Sequence, residues 1–291
     1  MLQQTMARAV RPHDPSASIV MGDTSSLINT IRIWRKQRPL VTAVIEASAR
    51  ALKLDARQKA IIDEAALLAA EPNDNAFHKN RHFLEVFAVS ALLGWRAHKE
   101  GRLSKDGLTL LLTAALIHDY KHDGTTNGTT QYKLESIAYE AAAPRLAVAG
   151  ATPDDLAKIK AFVLTTDVSR DFSKPDSISP ADSVKKYLKS GNENDLAQPL
   201  RPLHGWGLAD TAMMLHDADL SGSLLSPDLN KQAGDYLAAE QGRTHDAKSD
   251  AFFIEHICHH RMFSKAGHDM LQPHMEKTMR ALGVTLKPLM D

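Results

Sequence analysis

This sequence has a single cysteine, no surplus of either charge and no long apolar run, and each shortage excludes something. Cys258 alone cannot form an intramolecular disulfide, so the core has to hold the fold, and a reducing compartment suits such a chain. The 35 Lys and Arg residues match the 35 Asp and Glu residues, which leaves no strong electrostatic pull toward nucleic acid or an anionic membrane. No apolar stretch approaches the ~20 residues of a membrane span. Residues 1–23 mix Arg, His, Pro and Ser without a continuous apolar centre, so they do not read as a secretory signal. There is no internal repeat and no low-complexity tract. The expectation is a cytoplasmic protein whose partner is a small molecule, not nucleic acid or a membrane; these features leave the oligomeric state undetermined.

Helical periodicity fills the chain from residue 25 onward, and no period-two alternation competes with it. Helices are expected over 25–36, 40–54, 56–70, 83–99 and a segment capped by Ser104 that runs into His118. Further helices are expected over 131–143, ending at Pro144, then 154–164, 181–189, 208–218, 228–241, 249–263 and 270–282. With 291 residues there is ample sequence for one large core. The reading is all-α: a flexible arm over 1–24, then one compact domain over 25–291, with the polar stretch 171–201 as an irregular insertion.

The chemistry-bearing residues fall in three places. His118 and Asp119 end an apolar helix, where a carboxylate is costly unless paired or metal-bound. His78 and His82 are four residues apart, which on a helix puts them on one face. Asp217 and Asp219 follow another apolar run, and spacing does not choose between them. Separated imidazoles and carboxylates are how proteins hold borderline-to-hard divalent metals. The histidines at 256, 259 and 260 lie near Cys258 but lack a second cysteine, and read as a polar helix face; Lys185, Lys186 and residues 243–245 read as solvated.

In order and context these segments resemble the catalytic domain of class I cyclic-nucleotide phosphodiesterases, an all-helical branch of the HD-domain metal phosphohydrolases. That family's Tyr-His-Asn-x-x-His is met by Phe77-His78-Lys79-Asn80-Arg81-His82, which keeps both histidines. Its His-Asp-x-x-His-x-Gly-x-x-Asn is met in full by His118-Asp119 through His122 and Gly124 to Asn127. Thr166-Asp167-Val168-Ser169 stands for Thr-Asp-Met-Ser, and His216-Asp217-Ala218-Asp219-Leu220-Ser221 for His-Cys-Ala-Asp-Leu-Ser, which favours Asp219 over Asp217. The four motifs span about residues 77–263.

The resemblance implies roles. His82, His118, Asp119 and Asp219 would hold a first metal, typically Zn2+, and Asp119 would reach a second, Mg2+ or Mn2+. A metal-bridged hydroxide would then attack phosphorus, with His78 as general acid and His122 serving the second metal's waters or orienting His78. The implied reaction opens a 3',5'-cyclic nucleotide, cAMP or cGMP, to the 5'-monophosphate. Three departures stand out. The family's Glu-x-His-His is missing around Leu146 to Gly150, leaving Glu135 or Glu140 as substitutes. Its purine-reading Gln aligns with Asp250, which only accepts hydrogen bonds, although the base-stacking Phe survives as Phe253. Gly222 replaces an Asn found in many members. The alternatives are a phosphohydrolase of another mono- or diester, a diiron HD-type oxygenase, and a binding module without turnover.

Overall fold

A computed structural model describes residues 22–171, 173–174 and 176–285. Most of the arm expected over 1–24 lies outside them; from Thr24 the chain is helical, with the Asp23 carboxylate accepting the Ser26 N–H at 2.8 Å. The described residues form fourteen α-helices and no strand. In order, α1 is Thr24–Gln37, α2 Val41–Ala51, α3 Ala56–Ala69, α4 Asn80–Lys99 and α5 Lys105–Ile117. Then come α6 Lys133–Val148, α7 Pro153–Leu164, α8 Pro180–Ser190, α9 Pro202–Trp206 and α10 Ala209–Ser221. The last four are α11 Pro227–Glu240, α12 Ala247–Phe252, α13 Lys265–Met270 and α14 Gln272–Ala281. None is long and apolar enough to cross a membrane.

Helix α5 is the axle. Ser104 caps it by accepting the Gly107 N–H, and every residue from Gly107 to Ile117 is buried. A helix apolar all round has to lie inside a bundle, and α3, α4, α7 and α10 surround it. Gly94 lets α4 come close: a Cβ there would sit 2.6 Å from Leu108 Cδ1 and 2.9 Å from Leu111 Cδ2. That crossing brings the first turn of α4 beside the C-terminal end of α5, and α10 packs against both.

Several expected boundaries move, each for a physical reason. Helix α6 continues through Pro144 to Val148 although Pro144 gives up one backbone bond, because Ala142 and Leu146 on either side of it are fully buried. The single helix expected over 249–263 is broken: α12 passes into a π turn at Phe253–Ile257, and left-handed His259 and His260 (φ 50° and 61°) end it. The chain is then captured by Asp217, which accepts the N–H groups of Phe263 and Ser264. The helix expected over 270–282 begins at Gln272, parted from α13 at Leu271, and Pro273 cannot donate to the turn before it. His78 lies ahead of α4, so His78 and His82 do not share a helix face.

The stretch 171–201 contains α8 and two short 3₁₀ turns, and it delivers Val184, Leu196 and Leu200 to the core. Lys185 is buried there and not solvated: its ammonium pairs with Asp182 at 3.0 Å. His245 is likewise engaged, bonding Asp235 and Asp250. The residues expected as a polar histidine face divide, with His260 buried and His259 bonding Asp182 at 3.0 Å.

Candidate metal centre

Three helix ends meet at one point. His82 lies in the first turn of α4, His118 is the C-terminal cap of α5 with Asp119 next to it, and Asp219 lies in the last turn of α10. His82 Nε2 lies 3.2 Å from His118 Nε2, 3.3 Å from Asp119 Oδ2 and 3.1 Å from Asp219 Oδ1. His118 Nε2 lies 3.1 Å from Asp119 Oδ2 and 3.4 Å from Asp219 Oδ1. Four ligand atoms placed tetrahedrally at the ~2.0 Å typical of zinc would be separated by about 3.3 Å. Five edges of this quartet match that spacing. His118 Nδ1 lies 3.0 Å from the Ala115 carbonyl, so this nitrogen donates and Nε2 is the one turned to the centre. The donor set therefore fits a divalent ion.

The electrostatics agree. Burial pushes the Asp119 carboxyl up, but the His118 and His78 charges hold it well below the usual range. Burial likewise opposes Asp219, and its bonds to His118 and His82 outweigh that. Both imidazoles rise in turn despite burial, His118 through the charge of Asp119 and His82 through its bonds to the two carboxylates. Bringing these charges together costs free energy that a bound cation would offset. The structure also separates Asp219 from its neighbour. Asp217 turns away and accepts Ser264 N at 2.8 Å and Ser264 Oγ at 2.7 Å, which ties α10 to the chain ahead of α13.

His78 and His122 stand beside the quartet, with His78 Nε2 3.9 Å from Asp119 Oδ2. Their rings stack at 3.8 Å and 22°. Glu240, the last residue of α11, bonds His78 Nδ1 and accepts the N–H groups of Phe77 at 2.7 Å and His78 at 3.1 Å. Burial raises the Glu240 carboxyl, yet the His78 bond and charge bring it down to about 2. Nothing in the sequence around Glu240 marks it, because a separation of 162 positions from His78 hides the pairing. His122 Nδ1 accepts the Gly124 N–H at 3.0 Å, and burial pushes this imidazole down. His78, His122 and Glu240 also offer ligand atoms near one another. Near-parallel stacked rings, however, direct their lone pairs side by side and not toward a common ion.

Glu135 and Glu140 are distinguished by burial. Glu140 is exposed, whereas Glu135 is buried and accepts Asn127 Nδ2 at 2.8 Å. Burial and the neighbouring charge of Asp167 push Glu135 up to about 8, and Asp119 adds to the rise. Of these two acids, only Glu135, at the start of α6, is buried and feels the charge of Asp119. Asp167 accepts the Tyr132 N–H at 2.6 Å and holds Tyr132 in a left-handed conformation (φ 65°), so the turn into α6 is fixed from this side. Asp250 is tied to His245 at 2.9 Å, and Phe253 packs half-buried against the core. No contact joins either to the quartet among the bonds of the described residues.

No family model and no curated protein matches this chain. Solved structures do. The phosphodiesterase domain of the RhoPDE fusion protein from the choanoflagellate Salpingoeca rosetta is similar with a TM-score of 0.59 and 19% identity, covering 89% of each chain. A second structure of the Salpingoeca rosetta rhodopsin phosphodiesterase domain has a TM-score of 0.59 and 20% identity, over 89% of this chain and 86% of that one. LmjPDEB1 in complex with IBMX has a TM-score of 0.57 and 14% identity, over 92% of this chain and 94% of that one. The chain has the fold of these phosphodiesterase domains over nearly its whole length.

Proposed function

We propose that this chain is a metal-dependent phosphodiesterase that opens a 3',5'-cyclic nucleotide to the 5'-monophosphate. The observation that carries the reading is the quartet itself: four ligand atoms at metal-site spacing, with a carboxylate-held histidine on its flank. His82, His118, Asp119 and Asp219 would hold one divalent cation, and Asp119 would face a second, Zn2+ with Mg2+ or Mn2+ being the proposed pair. When bound, such cations supply Lewis-acid activation of water and neutralise charge on the phosphoryl oxygens. The chain does the rest. His78 directs Nε2 toward the Asp119 side and would donate its proton there to the leaving oxygen. Glu240 on Nδ1 keeps the proton on that nitrogen and fixes the orientation of the ring. His122, stacked on His78, limits its rotation. Glu135, which feels the Asp119 charge, is the proposed acid for water bound at that centre. Phe253 and Asp250 are the proposed base contacts.

One observation favours a second substrate class. Asp250 already has His245 as a partner and has no N–H to give, so it recognises a purine poorly. A phosphoester other than a purine cyclic nucleotide would then occupy the same centre. Hydrolysis of cAMP, cGMP and bis(p-nitrophenyl) phosphate by metal-loaded protein, with Asp219→Ala as control, separates the two. Turnover of a cyclic nucleotide that is lost in the variant supports the first reading. Turnover of the aryl diester alone supports the second. No turnover of any phosphoester by protein that has retained metal refutes both.

A further inference from the structure

Arg35 lies on α1, distant in sequence from every residue of the candidate site, yet its side chain is only 5% exposed. A guanidinium has five N–H donors, and here each has an acceptor. Nε gives to Glu85 Oε1 at 2.9 Å and Nη2 to Glu85 Oε2 at 2.7 Å, a two-point fork. Nη2 also gives to the Gly222 carbonyl at 3.3 Å. Nη1 gives to the Leu229 carbonyl at 2.9 Å and Gln232 Oε1 at 3.5 Å. These acceptors belong to the segments that carry the candidate site. Glu85 is nearly one turn beyond His82 on α4, and Gly222 closes α10 three residues after Asp219. Leu229 and Gln232 lie on α11, whose last residue is Glu240.

We infer that Arg35 is a positioning residue for the metal centre: it sets the mutual placement of the segments bearing His82, Asp219 and Glu240. This rests on the reading of the quartet as a metal site. The last carbonyls of a helix have no donor within it; at the end of α10 those of Leu220 and Ser221 accept N–H groups of the following turn, and Arg35 supplies one to Gly222. A buried Glu85 needs a compensating cation; Arg35 meets both of its oxygens while reaching the two other segments. Arg81 adds a second, longer ion pair to Glu85 at 3.6 Å and stacks on Tyr236 of α11 at 3.8 Å. Gly222 belongs to the same arrangement, because a Cβ there would lie 3.2 Å from Glu85 Oε2. The absent side chain leaves room for the carboxylate against the turn. A lysine at 35 would offer a point charge without the planar fork and could not satisfy three segments at once.

The test is a Zn2+ titration against a chromophoric chelator, with circular dichroism confirming the fold. The proteins are wild type, Arg35→Lys, Arg35→Met/Glu85→Met and Arg32→Ala. The double variant removes the Arg35–Glu85 pair as a unit, which costs less than leaving either partner alone, although Arg81 loses its longer pair to Glu85. Arg32 makes an exposed pair with Asp228 and serves as the control. Loss of a group that orients metal ligands weakens affinity ~10–100-fold, and about tenfold is expected for Arg35→Lys and the double variant, with Arg32→Ala unchanged. Folded variants that bind Zn2+ within about twofold of wild type would overturn the role of Arg35 and leave the metal-site reading intact. Wild-type protein that fails to bind Zn2+ would overturn that reading and this inference with it. If the double variant does not fold, Arg35→Lys decides by the same criterion.

Discussion

Replacing Glu135 with glutamine should make the metal-free protein more stable at alkaline pH. Burial and the charge of Asp167 push the Glu135 carboxyl up from its ordinary 4.5 to about 8. Between those values the folded chain keeps a proton that the unfolded chain has released. Stability from this group is therefore fully present below about pH 4.5 and is lost as pH rises through 8. At ~1.36 kcal/mol per unit, the loss is on the order of a few kcal/mol. Glutamine stays neutral throughout and still accepts Asn127 Nδ2, so the variant lacks this loss. The assay is urea unfolding of EDTA-treated wild type and Glu135→Gln at several values from pH 5 to 9. The two should be close at pH 5, with the variant ahead by a few kcal/mol at pH 9. A divalent cation beside Asp119 should narrow that gap, since the Asp119 charge is one of the groups raising Glu135. A gap of equal size at pH 5 and pH 9 would refute the argument.

Other outcomes follow from the same geometry. Asp219→Ala should abolish metal retention and turnover together, whereas Asp217→Ala should lower the unfolding midpoint and keep some metal, because Asp217 holds Phe263 and Ser264; metal analysis of both variants checks this. Glu240→Gln should reduce kcat for a phosphodiester about 10–100-fold with metal content unchanged, and an unaltered kcat would remove Glu240 from the His78 dyad. Gly94→Ala should cost about 1–3 kcal/mol in denaturant unfolding, since the new methyl would meet Leu108 and Leu111; a neutral result would mean that α4 and α5 can separate freely.

Much of the centre is legible because it is local. His118 and Asp119 adjoin each other at the end of an apolar helix, so burial of polar groups there follows from the pattern alone. The place of His82 among the candidate ligands follows from motif order. Glu135 is half-legible: its position at the start of a helix is visible, but its burial next to Asp167 comes from a neighbour over thirty residues on. Glu240 is not legible, since a glutamate closing an Ala-containing helix has no mark that it will reach back to His78. The break at His259 and His260 is also hidden, because helical periodicity continues through it while capture of the following chain by Asp217 ends it. Lys185 reads as a surface residue until Asp182 and the packing of α8 bury it.

The sequence by itself determined the class of fold, most of the run of helices and the short motifs that carry the candidate ligands, because helix periodicity and capping act over a few residues. Only the tertiary structure decided what Asp217 does instead, which carboxylate holds His78, and which cation ties the helices together. Those choices depend on contacts between distant segments, such as that between Arg35 and Gln232, 197 residues apart. Such contacts are set by how apolar faces pack, and the burial that results decides whether a charged side chain is solvated, paired or held ready for a cation.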